Sequence, residues 1–169
     1  MVALLRRRRL LPRCPRQHHF QRPLRLNPNE GNKLMIRQLD DKVMVSGQIA
    51  PHEVAGLADQ GVTVIVNNRP DGEEPGQPLA ADIEAAATAA GIPYHFVPII
   101  RGIGPADVEE MQKAMRQAEG GKLLAFCRSG TRSAMTIGLA KREEGASAEE
   151  VQRCLTDAGF DPGRIAHLL

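Results

Sequence analysis

From Ile36 onward the chain alternates short aliphatic runs with longer stretches of helical spacing, and glycine, proline or acidic residues mark each change. IRQL (36–39) and KVMVSG (42–47) flank Asp40–Asp41 and predict a hairpin or a pair of edge strands. PHEVAGLADQG (51–61) opens on a proline suited to a first helical turn and closes on a glycine, as a short helix should. VTVIVNN (62–68) is a β-branched apolar run of the kind that parallel sheets bury. RPDGEEPGQP (69–78), dense in turn formers and acids, predicts a loop, and LAADIEAAATAAG (79–91) a helix ending at Gly91. PYHFVPI (93–99) predicts another strand, followed by the loop RGIGP (101–105). ADVEEMQKAMRQAEGG (106–121) sets Val108, Met111 and Met115 on one helical stripe. KLLAF (122–126) is a short buried strand that runs directly into Cys127, and helical patterns follow at 133–144, 147–158 and about 161–168.

Strands that alternate with helices imply right-handed crossovers and a mostly parallel sheet flanked by helices, an α/β fold in a single domain. With 169 residues the chain is long enough for one sizeable core and too short for two ordinary ones. Only 3% of residues are aromatic, so that core must be aliphatic. No run approaches the ~18–20 apolar residues of a membrane span, which predicts a soluble chain with no membrane association.

Charge divides the sequence. Residues 1–34 hold eight Arg and Lys33 against Glu30 alone, whereas residues 35–169 hold 13 basic and 19 acidic side chains. The acidic body argues against non-specific nucleic-acid binding. The basic segment, rich in Arg and Pro with His18–His19 at its centre, shows neither helical nor alternating periodicity. It admits three readings: a targeting sequence, a basic arm for nucleic acid built on Arg6–Arg9, or a disordered extension ahead of a true start at Met35. The third is favoured because ordered patterning begins directly after Met35, leaving 35–169 as the folded domain. Cys14, Cys127 and Cys154 form neither a Cys-x-x-Cys pair nor a zinc-spaced cluster, which predicts no metal site and a reducing, cytoplasmic setting.

The chemistry concentrates in AFCRSGTRSA (125–134). A lone cysteine after LLAF would ordinarily be core, but Arg-Ser-Gly-Thr-Arg is a poor sequence for a buried segment. Cys127 falls where a strand hands over to a helix, the edge at which open α/β sheets bind ligands. Gly130 permits a left-handed turn, and a loop curled on a helix N-terminus points its amides inward as an anion nest. The amides of Ser129, Gly130 and Thr131, with Arg128, predict a substrate-binding cradle. Arg132 adds a bidentate guanidinium, and Ser133 caps the helix or donates to the sulfur. Such a field favours a thiolate, so Cys127 and Arg132 are the expected catalytic pair of a covalent mechanism.

VSGQI (45–49), VIVNNRPDGEEPGQP (64–78), YHFVPI (94–99) and FCRSGTRSA (126–134) together resemble the phosphatase-like domain of the beta-lactamase hydrolase-like protein family, also described as a sulfur transferase family. The resemblance covers nearly everything from Met35 and implies a protein-tyrosine-phosphatase-like fold, with Cys127 as nucleophile and Arg132 as anion-binding arginine. Tyrosine-type phosphatases have five residues between these two, commonly with His before the cysteine. Here there are four, and Phe126 precedes Cys127. The shorter loop is similar to that of rhodaneses, whose cysteine accepts a sulfane sulfur. A phosphatase also needs a general acid. Arg101 stands where an early one would lie, Asp107 falls inside the next helix, and Asp71 is either an acid or a turn residue.

The expectation is therefore a cytoplasmic sulfurtransferase that forms a persulfide on Cys127 from thiosulfate or a small persulfide and passes it to a thiol acceptor. No cofactor is implied, and a functional pairing with a persulfide-oxidising enzyme is admitted. The alternatives are a phosphatase acting through a cysteinyl-phosphate and a non-catalytic redox-sensing or anion-binding module. Elsewhere, Cys154 is expected to pack at a helical position and His95 to be structural, while His52 is expected to be solvated and His167 is uninformative. Asn67 and Asn68 either shape the pocket or form a turn, and Arg69 is either a second anion contact or a solvated surface residue.

Overall fold

The computed structural model describes residues 34–118 and 120–169. The basic segment, with its proposed arm, therefore lies outside the described residues apart from Leu34. Within the described residues five strands, β1 (Ile36–Gln38), β2 (Val43–Ser46), β3 (Val62–Asn67), β4 (Tyr94–Phe96) and β5 (Lys122–Phe126), form one sheet in the order β1-β2-β5-β3-β4. β1 pairs antiparallel with β2, and the remaining pairs are parallel. Among the described residues five α-helices surround them: α1 (Val54–Asp59), α2 (Ala80–Ala89), α3 (Pro105–Gln117), α4 (Thr131–Glu143) and α5 (Ala148–Asp157). This is the expected α/β sheet flanked by helices.

The apolar runs explain the layering. β5 is the central strand, and its successive residues face opposite sides. Leu123 and Ala125 pack with Val45, Val66, Met111, Ile137 and Leu155, and Leu124 and Phe126 pack with Met44, Ile49, Leu57, Ile65 and Ile83. On β3, Val62 and Ile65 share a face although three residues apart, because the pairing with β5 slips between Val62 and Val64. α4 is the most deeply placed helix, with every residue from Ser133 to Ala140 buried. Glycine makes this possible, since a Cβ on Gly138 would lie 3.1 Å from Val151 Cγ1 on α5. α5 starts with a reciprocal cap: the Glu150 N–H donates to Ser147 Oγ and the Ser147 N–H to Glu150 Oε2.

Two elements are shorter or tighter than their patterns predict. The strand expected over 93–99 spans only Tyr94–Phe96, because Pro93 and Pro98 lack the N–H that a ladder needs. Even so, the Val97 and Ile99 N–H groups still donate to the Asn67 and Asn68 carbonyls and keep the segment against β3. The last helical pattern is a 3-10 turn, Pro162–Leu168, started by Asp161, whose side chain accepts from the Gly163 N–H.

Leu123 and Leu124 are both fully buried and belong to different faces. Leu123→Ala and Leu124→Ala should each lower unfolding stability by about 2–5 kcal/mol and the double variant by close to their sum, measured by urea denaturation. A loss below about 1 kcal/mol at either position would contradict two separately packed faces.

Candidate active site

β5 ends at Phe126 and α4 begins at Thr131, so Cys127–Gly130 is the connection at the C-terminal edge of the sheet. The turn depends on Gly130, which has a φ of 87° and is the residue preceding α4. A side chain here is excluded by space as well as conformation, since a Cβ would lie 2.9 Å from Val45 Cγ1 and 3.2 Å from the Ser46 carbonyl oxygen. The turn returns the Gly130 N–H to Cys127, where it donates to Sγ at 3.2 Å. Cys127 itself is 1% exposed. Below the loop, the Gln48 N–H donates to the Arg128 carbonyl at 3.4 Å, and a Cβ on Gly47 would come within 3.1 Å of the same oxygen. The VSGQI segment is thus a close-fitting floor for the cysteine loop.

Arg132 is the second residue of α4. Its Nη1 donates to the Ile99 carbonyl at 3.0 Å, and its Nη2 lies 2.7 and 2.9 Å from the two carboxylate oxygens of Glu73. Burial disfavours its charge, but the Glu73 carboxylate and the neighbouring Cys127 sulfur outweigh this and hold the guanidinium above its ordinary value. The expected nucleophile and the expected cation therefore lie in one site.

The other predicted loop residues are distributed differently. Ser129 and Thr131 place their hydroxyl oxygens 3.2 Å apart at the rim. Arg128 is exposed and its guanidinium is paired with Glu74. Ser133 does not cap α4, because Gly130 already holds that position; it is buried in the first turn and makes no hydrogen bond within the protein through its hydroxyl.

The candidate acids are committed to helix starts. Asp71 Oδ1 accepts from the Ala80 N–H at 2.8 Å and Asp107 Oδ2 from the Gly104 N–H at 2.8 Å, each beside the first turn of a helix. Arg101 is exposed on its loop.

Arg69 departs most from expectation. It is not solvated but 3% exposed, with Nε 2.7 Å from Glu73, Nη2 2.6 Å from Glu74 and Nη1 2.9 Å from Gln48 Oε1. Its own N–H donates to Asn67 Oδ1, and Asn67 Nδ2 donates to the Tyr94 hydroxyl. Burial pushes that hydroxyl up to about 12, so it remains a neutral partner. Asn68 Nδ2 donates to the Val97 carbonyl. The two asparagines thus fix the exit of β3, and Arg69 then fastens loop 69–78 over the cysteine loop. Glu73, Glu74 and Gln48 were not singled out by the sequence patterns. Their signal was two adjacent acids in a loop at the sheet's ligand-binding edge, facing a motif with two arginines.

The remaining candidates are structural. His95 Nε2 lies 2.7 Å from Gln117 Oε1, and the buried Cys154 donates its S–H to the Leu39 carbonyl at 3.0 Å. His52 and His167 are exposed. Cys127 forms no disulfide. Among the described residues no group of three or more His, Cys, Asp or Glu is placed to hold a metal ion, and no helix is long and apolar enough to cross a membrane.

A cysteine at the end of the central parallel strand and an arginine in the first turn of the buried helix that follows fit a protein-tyrosine-phosphatase-like fold. The comparisons agree. Residues 35–143 match the family described as beta-lactamase hydrolase-like protein, phosphatase-like domain, and the chain belongs to that family. It is 38% identical over 133 residues to a beta-lactamase hydrolase-like protein of Xylella fastidiosa, covering 78% of this chain and 31% of the relative. The chain thus spans about a third of the length of that relative. Among solved structures it is similar to a protein of Neisseria meningitidis described as a candidate phosphatase, with 32% identity and a TM-score of 0.67, covering 79% of this chain and 94% of the other. It shares its fold with TpbA of P. aeruginosa, solved in complex with pTyr, at 15% identity and a TM-score of 0.55, covering 79% and 80%.

The Glu73 carboxyl is held below its ordinary value of 4.5, chiefly by its hydrogen bond to Arg132, with burial opposing and Arg69 adding. A carboxylate depressed in the native state contributes stability above its unfolded value and loses it as pH falls through the native one. The stability gap between the protein and Glu73→Gln should therefore be constant from about pH 7 to 5 and shrink below about 4.5. Urea denaturation across this range reads it, and a gap that stays constant to about pH 3 would contradict the ion pair.

Proposed function

We propose that Cys127 is the nucleophile of a cysteine-dependent group-transfer enzyme acting on a small anionic donor, and that the group it carries is sulfur. The observation behind the choice of sulfur is the state of the nearby carboxyls. Asp71 and Asp107 serve helix starts, and Glu73 is held ionised between Arg69 and Arg132, so none is poised to protonate a departing alkoxide. Sulfur transfer has no such need. The Cys127 thiolate attacks the outer sulfur of thiosulfate or of a small persulfide. The S–S bond breaks, sulfite or a thiolate departs with the electron pair, and a persulfide remains on Cys127. A thiol acceptor, as its thiolate, then takes that outer sulfur and restores the cysteine. Arg132, the Gly130 amide and the N-terminus of α4 stabilise the charge. The four-residue spacing between Cys127 and Arg132 favours the same reaction.

Phosphomonoester hydrolysis is the second reading, and the comparisons lean towards it. The family is described as phosphatase-like, and the Neisseria relative, which this chain nearly spans, is described as a candidate phosphatase. In that reaction the Cys127 thiolate displaces an alcohol or phenol from phosphorus, and water releases phosphate. The fold and cradle suit either electrophile. We assign the protein to the cytoplasm on the same footing, from the unbridged thiol of Cys127.

Parallel turnover assays separate the readings. Sulfite release from thiosulfate, or thiol-dependent sulfide release from glutathione persulfide, should occur with the protein and fall at least about 10³-fold in Cys127→Ser. Aryl phosphate hydrolysis should be slow under the same conditions. Cys127-dependent phosphate release in the absence of sulfur turnover would reverse the assignment.

A further inference from the structure

Both guanidiniums flanking the cysteine loop are already paired, and the carboxylates that pair them lie on one loop. Glu73 bridges Arg132 and Arg69, with oxygens 2.7 Å from Arg132 Nη2 and 2.7 Å from Arg69 Nε. Glu74 bridges Arg128 and Arg69. Arg69 anchors the pair from a buried position, holding Gln48 as well, and Gln48 is itself bonded through its N–H to the cysteine loop. Two carboxylates thus link three arginines above Cys127.

We propose that Glu73 is a specificity-determining residue: a resident anion on Arg132 that makes the cradle select against doubly charged oxyanions and for neutral or singly charged donors. The proposal rests on Cys127 and Arg132 sharing one cradle, and not on whether sulfur or phosphorus is transferred. The physical ground is charge. A substrate anion seated against Cys127 uses the guanidinium that Glu73 holds. It must either displace this carboxylate or lie beside it, and both costs grow with the charge it carries. Glu73 is ionised at neutral pH, and its pairing with Arg132 and Arg69 holds its titration below the ordinary carboxylate value. A persulfide attacked in its protonated RS–SH form carries no charge on the reacting sulfur and meets little of this penalty, whereas thiosulfate, sulfate and phosphate dianions meet all of it. Arg69 is a positioning residue in this scheme. It touches no reacting atom, and its burial keeps loop 69–78 from swinging the carboxylate into solvent.

Alkylation of Cys127 tests the charge directly, without relying on any activity. Iodoacetate and iodoacetamide react by the same displacement and differ mainly in charge, so the ratio of their rate constants cancels the thiolate fraction. That ratio should rise about three- to tenfold in Glu73→Gln relative to the protein. It should stay near the parent value in Glu73→Asp, which keeps the charge, and in Glu109→Gln, a distant exposed carboxylate on α3 paired with Lys113. Glu73→Ala carries the same expectation as Glu73→Gln should the amide disturb the loop. An unchanged ratio in both neutral variants would overturn the proposal, as would an equal rise in Glu109→Gln. Thiosulfate turnover gives a second readout: in Glu73→Gln its KM should fall more than that for glutathione persulfide. A parallel fall for both donors would mean that Glu73 acts only on loop structure.

Discussion

The site depends on one short-range constraint: four residues must carry the chain from the end of β5 into α4 while turning a backbone N–H back onto Cys127. Gly130 meets it by taking a left-handed conformation in a space bounded by Val45 and Ser46. Because β2 is hydrogen-bonded to β5, those two residues are fixed by the sheet and not by the loop. The cradle is therefore cast against the core. The Gln48 N–H and the close approach of Gly47 to the Arg128 carbonyl close it from the same side.

A second constraint acts from above. Arg69 leaves the end of β3 directly into a buried position, where removing a guanidinium from water requires partners on every side. Glu73, Glu74 and Gln48 supply them. Satisfying that one buried cation brings an acidic loop over a basic one, and it places Glu73 on Arg132. The arrangement that stabilises loop 69–78 thus also sets the charge a ligand encounters. Structure and selectivity follow from the same ion pairs.

Much of the fold could be read in the sequence because its signals are local. VTVIVNN and KLLAF declare buried strands by composition, Pro51 opens a helical turn, and Gly61 and Gly91, both with positive φ, follow helices where the pattern placed their ends. Cys127 and Arg132 were legible for the same reason, since a strand, a glycine turn and a helix follow one another within a dozen residues. The fate of Arg69 was not. Its partners lie 4, 5 and 21 residues away and converge only once β3 and the VSGQI segment are neighbours of β5. Ser133 misled because the cap fell to Gly130, so the hydroxyl that looked available at a helix start is buried in the first turn instead. β4 stopped short because proline restricts pairing in a way that apolar alternation does not reveal.

The central claim is that Cys127 carries sulfur as a covalent persulfide intermediate. Brief incubation with glutathione persulfide or thiosulfate, quenching, and intact-mass and peptide analysis test it most directly. The account predicts the added mass of one sulfur atom on the peptide containing Cys127, removed by a thiol and absent in Cys127→Ser. No adduct from either sulfur donor, together with a phosphoryl adduct on the same cysteine after exposure to an aryl phosphate, would contradict it.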